Sequence, residues 1–513
     1  MSTSLDAKGP TTTAIRDDHG FFGHPKGLST LFFTEMWERF SYYGMRALLT
    51  LYMTKSIAEG GLGFDEKYSG VIYATYVSSV WYLPLIGGWL ADKFLGARRA
   101  VLIGGIVIAC GHYSMVINTL PNFYAGLILI AVGTGFLKPN ISAMVGQLYK
   151  PEDERRDAGF SIFYMGINLG AFLAPIVTGF LAQHLWFKNF ISSVGLDPNH
   201  SWHWGFGAAG VGMTLGLIQY VFGGKRLLEV GKRSTEPKPT AEKASSSVDI
   251  VTGAMAAVGA LIGAAFGYRY GEGGWISMPF WTVVGYFAGY LGGTTRLLQG
   301  DERRRVLVIF ILVLFSIIFW MTFEQAGSSL TLFGDRLTRT SIFGWGFPSS
   351  WFQSVQPICI IALAPVFAFI WQRLGERQPS SPAKFAMGLL FAGVAFVVVA
   401  FASTWTGGGR VSPLWLIVVY FLQTLGELCL SPVGLSTITK LAPGRMVGLM
   451  MGVWFLSISI GSYIAGLTTK LFQGSSPGLL ARAFGTFAAI SLAAALLLAL
   501  LTPLIKKMTP SKV

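Results

Sequence analysis

Charge is scarce in this chain. Of 513 residues, 12% are Asp, Glu, Lys or Arg and 52% are hydrophobic. Soluble domains carry roughly 25% charge, so a water-soluble fold is not what this composition describes. Mean hydropathy is +0.55. Cysteine is rarer still: Cys110, Cys359 and Cys429 lie far apart in apolar runs. They imply no disulfide framework and no zinc site, and read as small buried hydrophobes. The N-terminal stretch MSTSLDAKGPTTTAIRDDHG lacks the apolar core of a signal peptide. A P-loop is missing, as is any nucleophile–base arrangement outside the apolar segments, so an enzyme is not expected, nor a metal or organic cofactor.

What the chain has in abundance is apolar runs of about 20 residues or more, enough for the ~30 Å hydrocarbon core of a bilayer. They fall at roughly 28–54, 68–91, 99–119, 123–147, 156–185, 203–223, 248–270, 276–297, 305–332, 350–372, 385–405, 413–439, 446–471 and 479–504. The expected fold is therefore an all-α integral membrane protein of about 14 transmembrane helices. Basic clusters occupy alternate loops: Arg98/Arg99, Lys150 with Arg155/Arg156, Lys225 through Lys243, Arg303 to Arg305, Arg373/Arg377, Lys440/Arg445 and Lys506/Lys507. The positive-inside rule places both termini in the cytoplasm of a cell whose inner membrane holds the chain. The net charge of +14 is then a topology signal, and no nucleic-acid partner is needed to explain it.

The organisation follows. Residues 1–27 form a cytoplasmic tail and 28–223 a bundle of six helices. Residues 224–303 hold a polar linker, GKRLLEVGKRSTEPKPTAEKASSS, and two additional helices rich in Gly and Ala. Residues 304–505 form a second bundle of six, and 506–513 a short tail. The linker composition predicts a flexible cytoplasmic segment. The two additional helices carry almost no charge and read as peripheral and lipid-facing.

The two sixes look related. GGWLADKFLGARR follows the second helix and WQRLGER stands in the matching loop of the second half. FYMGINLGAFLA pairs with WFLSISIGSYIA, and GTGFLKPNIS with LGELCLSPVGLS. Internal repeats of this kind mark secondary transporters, with the substrate site near the midplane between halves. The loop GGWLADKFLGARR also resembles the second-to-third loop motif of the major facilitator superfamily; a loop that only sets topology is the other reading.

The first helix carries the chemistry. TEMWERFSYYGMRALLTLYM holds Glu35, Glu38, Arg39 and Arg46 in an otherwise apolar span. Each charge at a helix centre costs about 2.5–3.5 kcal/mol on insertion scales, so four cost about 10–14. Partners or water must meet them. Glu35 and Arg39 are i,i+4 in the favoured order. Arg39, Tyr42, Tyr43 and Arg46 form a polar stripe on one helix face, suited to lining a cavity. Elsewhere Lys138 precedes a proline within the fourth helix, Asn168 lies in the fifth and Glu427 in the tenth. A zwitterionic peptide needs a cation, an anion or amide, and tolerant walls. Arg39 and Lys138, Glu427 and Asn168, and the rings of Tyr42, Tyr43 and Trp454 offer these. Asn168 also suits interhelical packing, as do the aromatic rings. His112, inside the third helix, reads as structural.

E-M-W-E-R-F-S-Y-Y-G resembles the E-x-x-E-R-F-x-Y-Y-G motif of the proton-dependent oligopeptide transporter family. GTGFLKPNISAMVGQLY, DAGFSIFYMGINLGAF, FEQAGSSLTLF and LGELCLSPVGLS are similar to further family segments, and the six-plus-two-plus-six layout is that of its bacterial members. The resemblance implies the major facilitator fold and a proton-coupled symporter importing di- and tripeptides by alternating access, in the bilayer and with no obligate protein partner. It implies that Arg39 and Lys138 hold the peptide carboxylate and Asn168 and Glu427 its amino terminus. Trp81, Gln356 and Ser431 join Tyr42, Tyr43 and Trp454 in the peptide-binding set.

Proton coupling is expected at Glu35, Glu38, Arg39 and Glu324. A carboxylate beside Arg39 loses its partner, and can take a proton, when a peptide carboxylate claims the guanidinium. Helix one runs outward, so Arg46 lies about 10 Å beyond Arg39 at ~1.5 Å per residue. The resemblance pairs Arg46 with Glu324 as an outer gate and Lys138 with Glu427 as an inner one; two cavity-lining charges that never meet is the alternative for each. Two departures from the family pattern bear on substrate choice: Trp81 where a tyrosine is usual, and Gln356 in QSVQP where an asparagine is common. A same-family carrier of nitrate, modified peptides or drugs stays open, but Lys138 and Glu427 together favour a zwitterion over a simple anion. A channel would not need paired intramembrane charges in both halves, and a sensor would need a domain to relay its signal.

Overall fold

The computed structural model describes residues 18–150, 153–232, 249–474 and 476–508. The expected tail before residue 18, most of the expected flexible linker after residue 232 and the last five residues lie outside that set. The described part is almost wholly helical. In order it holds α1 (Lys26–Thr54), α2 (Glu66–Leu90), α3 (Ala97–Ser114), α4 (Leu120–Gln147), α5 (Arg155–Gln183), the short α6 (Leu185–Ser193) and α7 (Ser201–Gly223). Then come α8 (Ile250–Tyr270), α9 (Met278–Thr295), α10 (Gly300–Phe323), α11 (Ser329–Arg336), α12 (Val355–Leu374), α13 (Ser381–Thr404), α14 (Leu414–Leu441), α15 (Val447–Leu467) and α16 (Pro477–Met508). A two-stranded hairpin, β1 (Ser341–Ile342) with β2 (Trp345–Gly346), follows α11.

Each of the fourteen expected spans meets a helix, with ends moved by a few residues. Among the described residues, ten helical segments are long and apolar enough to cross a membrane. α1, α2, α3 and α9 fall outside that group; in α1 the reason is that Glu35, Glu38, Arg39 and Arg46 leave no stretch of bilayer length with few charges. Three differences from expectation have physical reasons. The span expected at 305–332 is broken, because Glu324–Gly327 forms a 3₁₀ turn between α10 and α11. The linker's first residues are ordered: Gly224–Leu227 is a 3₁₀ turn whose carbonyl ends accept bonds from the Arg98 guanidinium, at Gly224 O and, 3.0 Å away, at Leu228 O. Cys110 is exposed, whereas Cys359 is half-buried and Cys429 buried, so the burial expected of all three holds fully only for Cys429.

The described chain forms two compact units. One comprises the chain up to Met45, Leu83–Ala174 and the stretch from Phe206 onward before the linker's end. The other comprises Arg46–Tyr82, Pro175–Gly205 and the chain after the linker. The first has a core of Leu28, Leu31, Val101, Ile108, Ile141, Met144, Phe163 and Tyr220. Just before α1, His24 Nδ1 meets the Tyr149 hydroxyl at 2.9 Å. Burial, with Arg155 nearby, pulls the His24 imidazole below the ordinary histidine range.

The second unit is built around Phe319, Phe385, Leu389, Trp454 and Leu498. It also contains the far halves of α1, α2 and α5. Ser459 Oγ donates to Ser78 O at 2.9 Å, Gln183 Nε2 to Ser349 Oγ at 3.1 Å, and Trp351 Nε1 to Ile176 O at 3.1 Å. Near the chain surface Lys55 pairs with Asp335 at 3.3 Å and Arg336 with Glu66 at 2.7 Å.

The additional helices form a tight antiparallel hairpin. A Cβ on Gly259 would lie 2.2 Å from Gly285 O, and one on Gly285 2.1 Å from Gly259 O. Backbones this close gain dispersion and weak Cα–H···O contacts, the means by which helices associate where no hydrophobic drive exists. Asp249 caps α8 through Thr252 N at 2.9 Å and binds Arg296 Nη2 at 2.6 Å, closing the hairpin's base. These bonds, Arg296 first, hold the Asp249 carboxyl down at about 2. At its tip the hairpin is docked rather than peripheral. Tyr463 of α15 donates to Ser277 Oγ at 2.8 Å and stacks on Phe280 with centroids 4.0 Å apart, while Lys470 pairs with Glu272. Gly273 abuts Val71 of α2 so closely that a Cβ there would lie 2.4 Å from Val71 Cγ1.

Replacing Gly285 with Val is expected to force α8 and α9 apart, at about 1–3 kcal/mol for an overpacked site. Thermal unfolding in detergent should show a lowered midpoint, whereas Ala257→Val, at an exposed position of α8, should leave it unchanged.

Candidate functional site

The charges of α1 separate into two clusters. The first is Glu35, Glu38 and Arg39, all buried. The i,i+4 spacing nominated Glu35 as the partner of Arg39, and a contact exists: Arg39 Nε lies 3.2 Å from Glu35 Oε1. The closer grip comes from the adjacent Glu38, which takes Arg39 Nη2 at 2.7 Å and Nε through its other oxygen. Two parallel N–H···O bonds make this the stronger geometry. Neighbours in sequence do not share a helix face, so spacing alone hid the pair; both side chains are long enough to curl together. Glu35 Oε2 is left buried with no hydrogen-bond partner. The cluster thus sets two carboxylates against one guanidinium. Lys138 of α4, half-buried, stands where its charge also bears on Glu35.

The surroundings hold this cluster in place. The Arg39 guanidinium lies 5.2 Å over the Tyr42 ring, and Tyr42 meets Tyr43 edge-on at 5.1 Å. α1 packs against α5 where Gly170 has no side chain: a Cβ there would sit 2.2 Å from Met36 O. Two residues before Gly170, Asn168 is buried and spends its amide on Tyr164 O at 3.0 Å, a bond within its own helix.

The second cluster centres on Arg46. Its Nη2 donates to Glu324 Oε2 at 2.7 Å and its Nε to the Tyr73 hydroxyl at 2.8 Å. Arg46, Glu324 and Tyr73 are all buried. The break between α10 and α11 makes this possible. It turns Glu324 toward Arg46 and frees the Gly327 carbonyl, which Thr50 Oγ1 takes at 2.7 Å. Gly327 must lack a side chain, since a Cβ there would lie 1.8 Å from Tyr73 Oη and 2.9 Å from Arg46 Nε. At the break Gln325 Oε1 accepts from Ser329 Oγ at 2.6 Å and Ser328 Oγ donates to Ala465 O at 2.8 Å, so the polar run EQAGSS is satisfied partly from within and partly by neighbouring helices. Tyr73, Thr50 and Gly327 are the residues that sequence reasoning missed. The signal was a glycine amid polar residues in the middle of an apolar span, which marks an interrupted helix.

The remaining candidates belong to the second unit. Trp81 stacks on Phe455 with centroids 6.3 Å apart and lies 6.4 Å from Trp320, neither of which spacing had nominated. Gln356 Nε2 and Glu427 Oε2 are buried atoms without hydrogen-bond partners; Glu427 and Ser431 are both half-buried on α14. Trp454 is fully buried, its ring set over Gly434 and edge-on to Phe385, which makes it a packing residue of the bundle. Lys138 belongs to one compact unit and Glu427 to the other. His112 is buried with neither ring nitrogen hydrogen-bonded. Among the described residues no group of His, Cys, Asp and Glu is arranged to hold a metal ion.

The sequence model described as "POT family" matches residues 98–481. The peptide transporter YePEPT of Yersinia enterocolitica is 40% identical over 534 aligned positions, covering 98% of this chain and 98% of its own. The di-/tripeptide transporter of Lactococcus lactis subsp. cremoris is 37% identical, covering 89% of this chain and 91% of its own. Among solved structures, a POT peptide transporter in complex with alafosfalin superposes with a TM-score of 0.82 at 40% identity, over 99% of this chain and 100% of that one.

Arg46→Met alone would strand Glu324 in the protein interior, at about 3–5 kcal/mol for a broken buried pair. In a double-mutant cycle with Glu324→Leu, the paired substitution is expected to recover at least half of that loss in thermal or denaturant unfolding. Strictly additive losses would show that the two charges do not interact.

Proposed function

The chain belongs to the POT family, and on that footing we propose that it imports di- and tripeptides together with protons, by alternating access. It is a transporter and not an enzyme. The observation that carries the coupling is the cluster on α1: two buried carboxylates share one guanidinium, and one oxygen of Glu35 has no hydrogen-bond partner.

The chemistry is a competition for Arg39. With no peptide present, Arg39 is held by Glu38 bidentately and by Glu35 more loosely. A peptide carboxylate arriving between Arg39 and Lys138 draws guanidinium hydrogen bonds to itself. Glu35 then loses its counter-charge while buried in a medium of low dielectric, where an unpaired carboxylate is costly. Protonation removes that cost, so peptide and proton enter together. In this scheme Asn168 and Glu427 receive the peptide ammonium, and Tyr42, Tyr43, Trp81, Gln356, Ser431 and Trp454 shape the space around the side chains. Trp454 acts from beneath the wall, by fixing the packing of α14 against α15.

Alternating access needs bonds that form in one state and break in another. Arg46 with Glu324 closes one end of the path, assigned here to the outside. Lys138 with Glu427 closes the other, assigned to the cytoplasm. Glu324 joins the coupling group because its carboxylate needs a new counter-charge once Arg46 moves away. Residues 28–223 and 304–505 act as the two six-helix bundles, with 224–303 inserted between them. The chain lies in the inner membrane with both termini in the cytoplasm, and the proton is its only coupling ion.

Uptake of labelled dialanine into proteoliposomes holding this protein alone tests the reading. Accumulation is expected only with an acidic exterior and should be suppressed by unlabelled dipeptides, not by free alanine. Glu35→Gln, neutral at every pH, is expected to lower accumulation at least tenfold while preserving exchange of internal for external peptide. Accumulation that ignores the pH gradient, or Glu35→Gln vesicles that concentrate dialanine normally, would sink the proposed coupling.

A further inference from the structure

α6 (Leu185–Ser193) has no part in the transport scheme. It begins directly after α5 ends at Gln183. Its sequence, LWFKNFISS, contains one charge. That charge is turned toward the protein: Lys188 is half-buried, with Glu59 and Lys55 as its charged neighbours, and burial pulls its ammonium below the ordinary lysine range. Phe187 and Ile191 are buried on the same inward side.

The outward face carries three large apolar side chains, with the small polar Asn189 and Ser193 exposed between them. Leu185, Trp186 and Phe190 are 74%, 60% and 49% exposed. Trp186 and Phe190, one turn apart, stack with rings nearly parallel at 5.8 Å. Val194 and Leu196, just past the helix, extend the patch. A surface helix in water turns its charge outward and its apolar stripe inward. Here the lone charge goes in and Leu185, Trp186 and Phe190 go out beside uncharged Asn189 and Ser193, a mixture of apolar bulk and small polar groups that suits the boundary between lipid and water.

Two neighbours indicate what covers it. Phe180, in the last turn of α5, lies 5.8 Å from Trp186. Trp204, in the first turn of α7, meets Phe187 edge-on at 6.0 Å. Both continue stripes that face lipid. On α7, Trp204, Val211, Leu215, Ile218 and Phe222 are exposed at the spacing of one helix face; on α5, Leu173 and Val177 lead up to Phe180. The patch on α6 is thus an extension of the bilayer-facing surface past the ends of the spanning helices.

We infer that α6 is an interfacial helix, lying along the membrane surface with Leu185, Trp186 and Phe190 inserted at the boundary between lipid headgroups and acyl chains. Tryptophan suits that depth, with an apolar body for the chains and an indole N–H for the headgroups. The helix ties the connection between α5 and α7 to the lipid surface. No protein partner is needed to cover the patch.

Spin labels test this. Single cysteines at positions 185–194 are introduced into a chain lacking Cys110, Cys359 and Cys429, and labelled in liposomes of mixed zwitterionic and anionic phospholipid. Only variants that retain dialanine uptake are read. Collisions with oxygen, which partitions into lipid, are compared with those of a water-soluble nickel chelate. The oxygen-to-nickel ratio is expected to peak at 185, 186 and 190, at least threefold above its value at 192. Nickel dominating at 186 and 190 would place the face in water, and low access to both reagents would mean that a second copy covers it; either overturns the inference. A measurement without labels provides a second arm. Trp186→Phe is expected to remove part of the tryptophan quenching caused by lipids brominated near the headgroup, with unchanged uptake. Equal quenching in the parent and Trp186→Phe would count against insertion.

Discussion

A charge removed from water must be met by another charge or hydrogen bonds, and the architecture around α1 depends on that constraint. Its penalty is several kcal/mol per ion even after relaxation, enough to decide where helices break and where glycines must stand. Arg46 needs Glu324, Glu324 needs the broken helix at Glu324–Gly327, and the broken helix needs Thr50 for its freed carbonyl. Each link satisfies a group that the previous one would leave unpaired. The same constraint makes the site responsive. A guanidinium shared by Glu35 and Glu38 is stable only while the competing anion is absent, so stability and sensitivity rest on the same bonds.

Close packing supplies the geometry. At Gly170 and Gly327 the missing side chains bring backbone or a second residue's polar atoms to within reach, and a single added Cβ would push apart the groups that carry the charge. Membrane helices associate through such contacts because lipid gives them no hydrophobic reason to do so. The hairpin of α8 and α9 applies the rule most fully, with glycine facing backbone along its length. Above the Asp249–Arg296 pair at its base, the two helices can therefore hold together through backbone contact rather than charge.

Much of this was legible in the sequence. Apolar runs of bilayer length located the spans, and charge within them located the chemistry, since neither Glu38 nor Arg46 could lie in lipid without a partner. What escaped detection was contact between residues distant in sequence, or too near. Tyr73 carries no charge and sits in an aromatic-rich helix, so nothing distinguished its hydroxyl from many others. Glu38 was passed over as the main partner of Arg39 because helical spacing favours Glu35, while the actual grip depends on side-chain conformation. The break after Phe323 was masked by the hydrophobicity on either side of it. The hairpin's composition suggested an idle passenger, because low charge says nothing about Tyr463 reaching across from α15.

That contact changes the mechanical meaning of the inserted hairpin. Its tip touches Val71 on α2 through Gly273, and α15 through Ser277 and Phe280 against Tyr463. Those two helices are themselves joined where Ser459 bonds Ser78 O. A loop resting on both sides of a seam has to choose a side when the seam opens. With a hydroxyl bond and a stacked ring on α15 and an ion pair to Lys470 just beyond it, against the close approach of Gly273 to Val71 on α2, it would travel with α15 and peel away from Val71. The insertion is in that sense a flap hinged on the second half of the molecule, overlapping the joint like the lapped edge of a shingle.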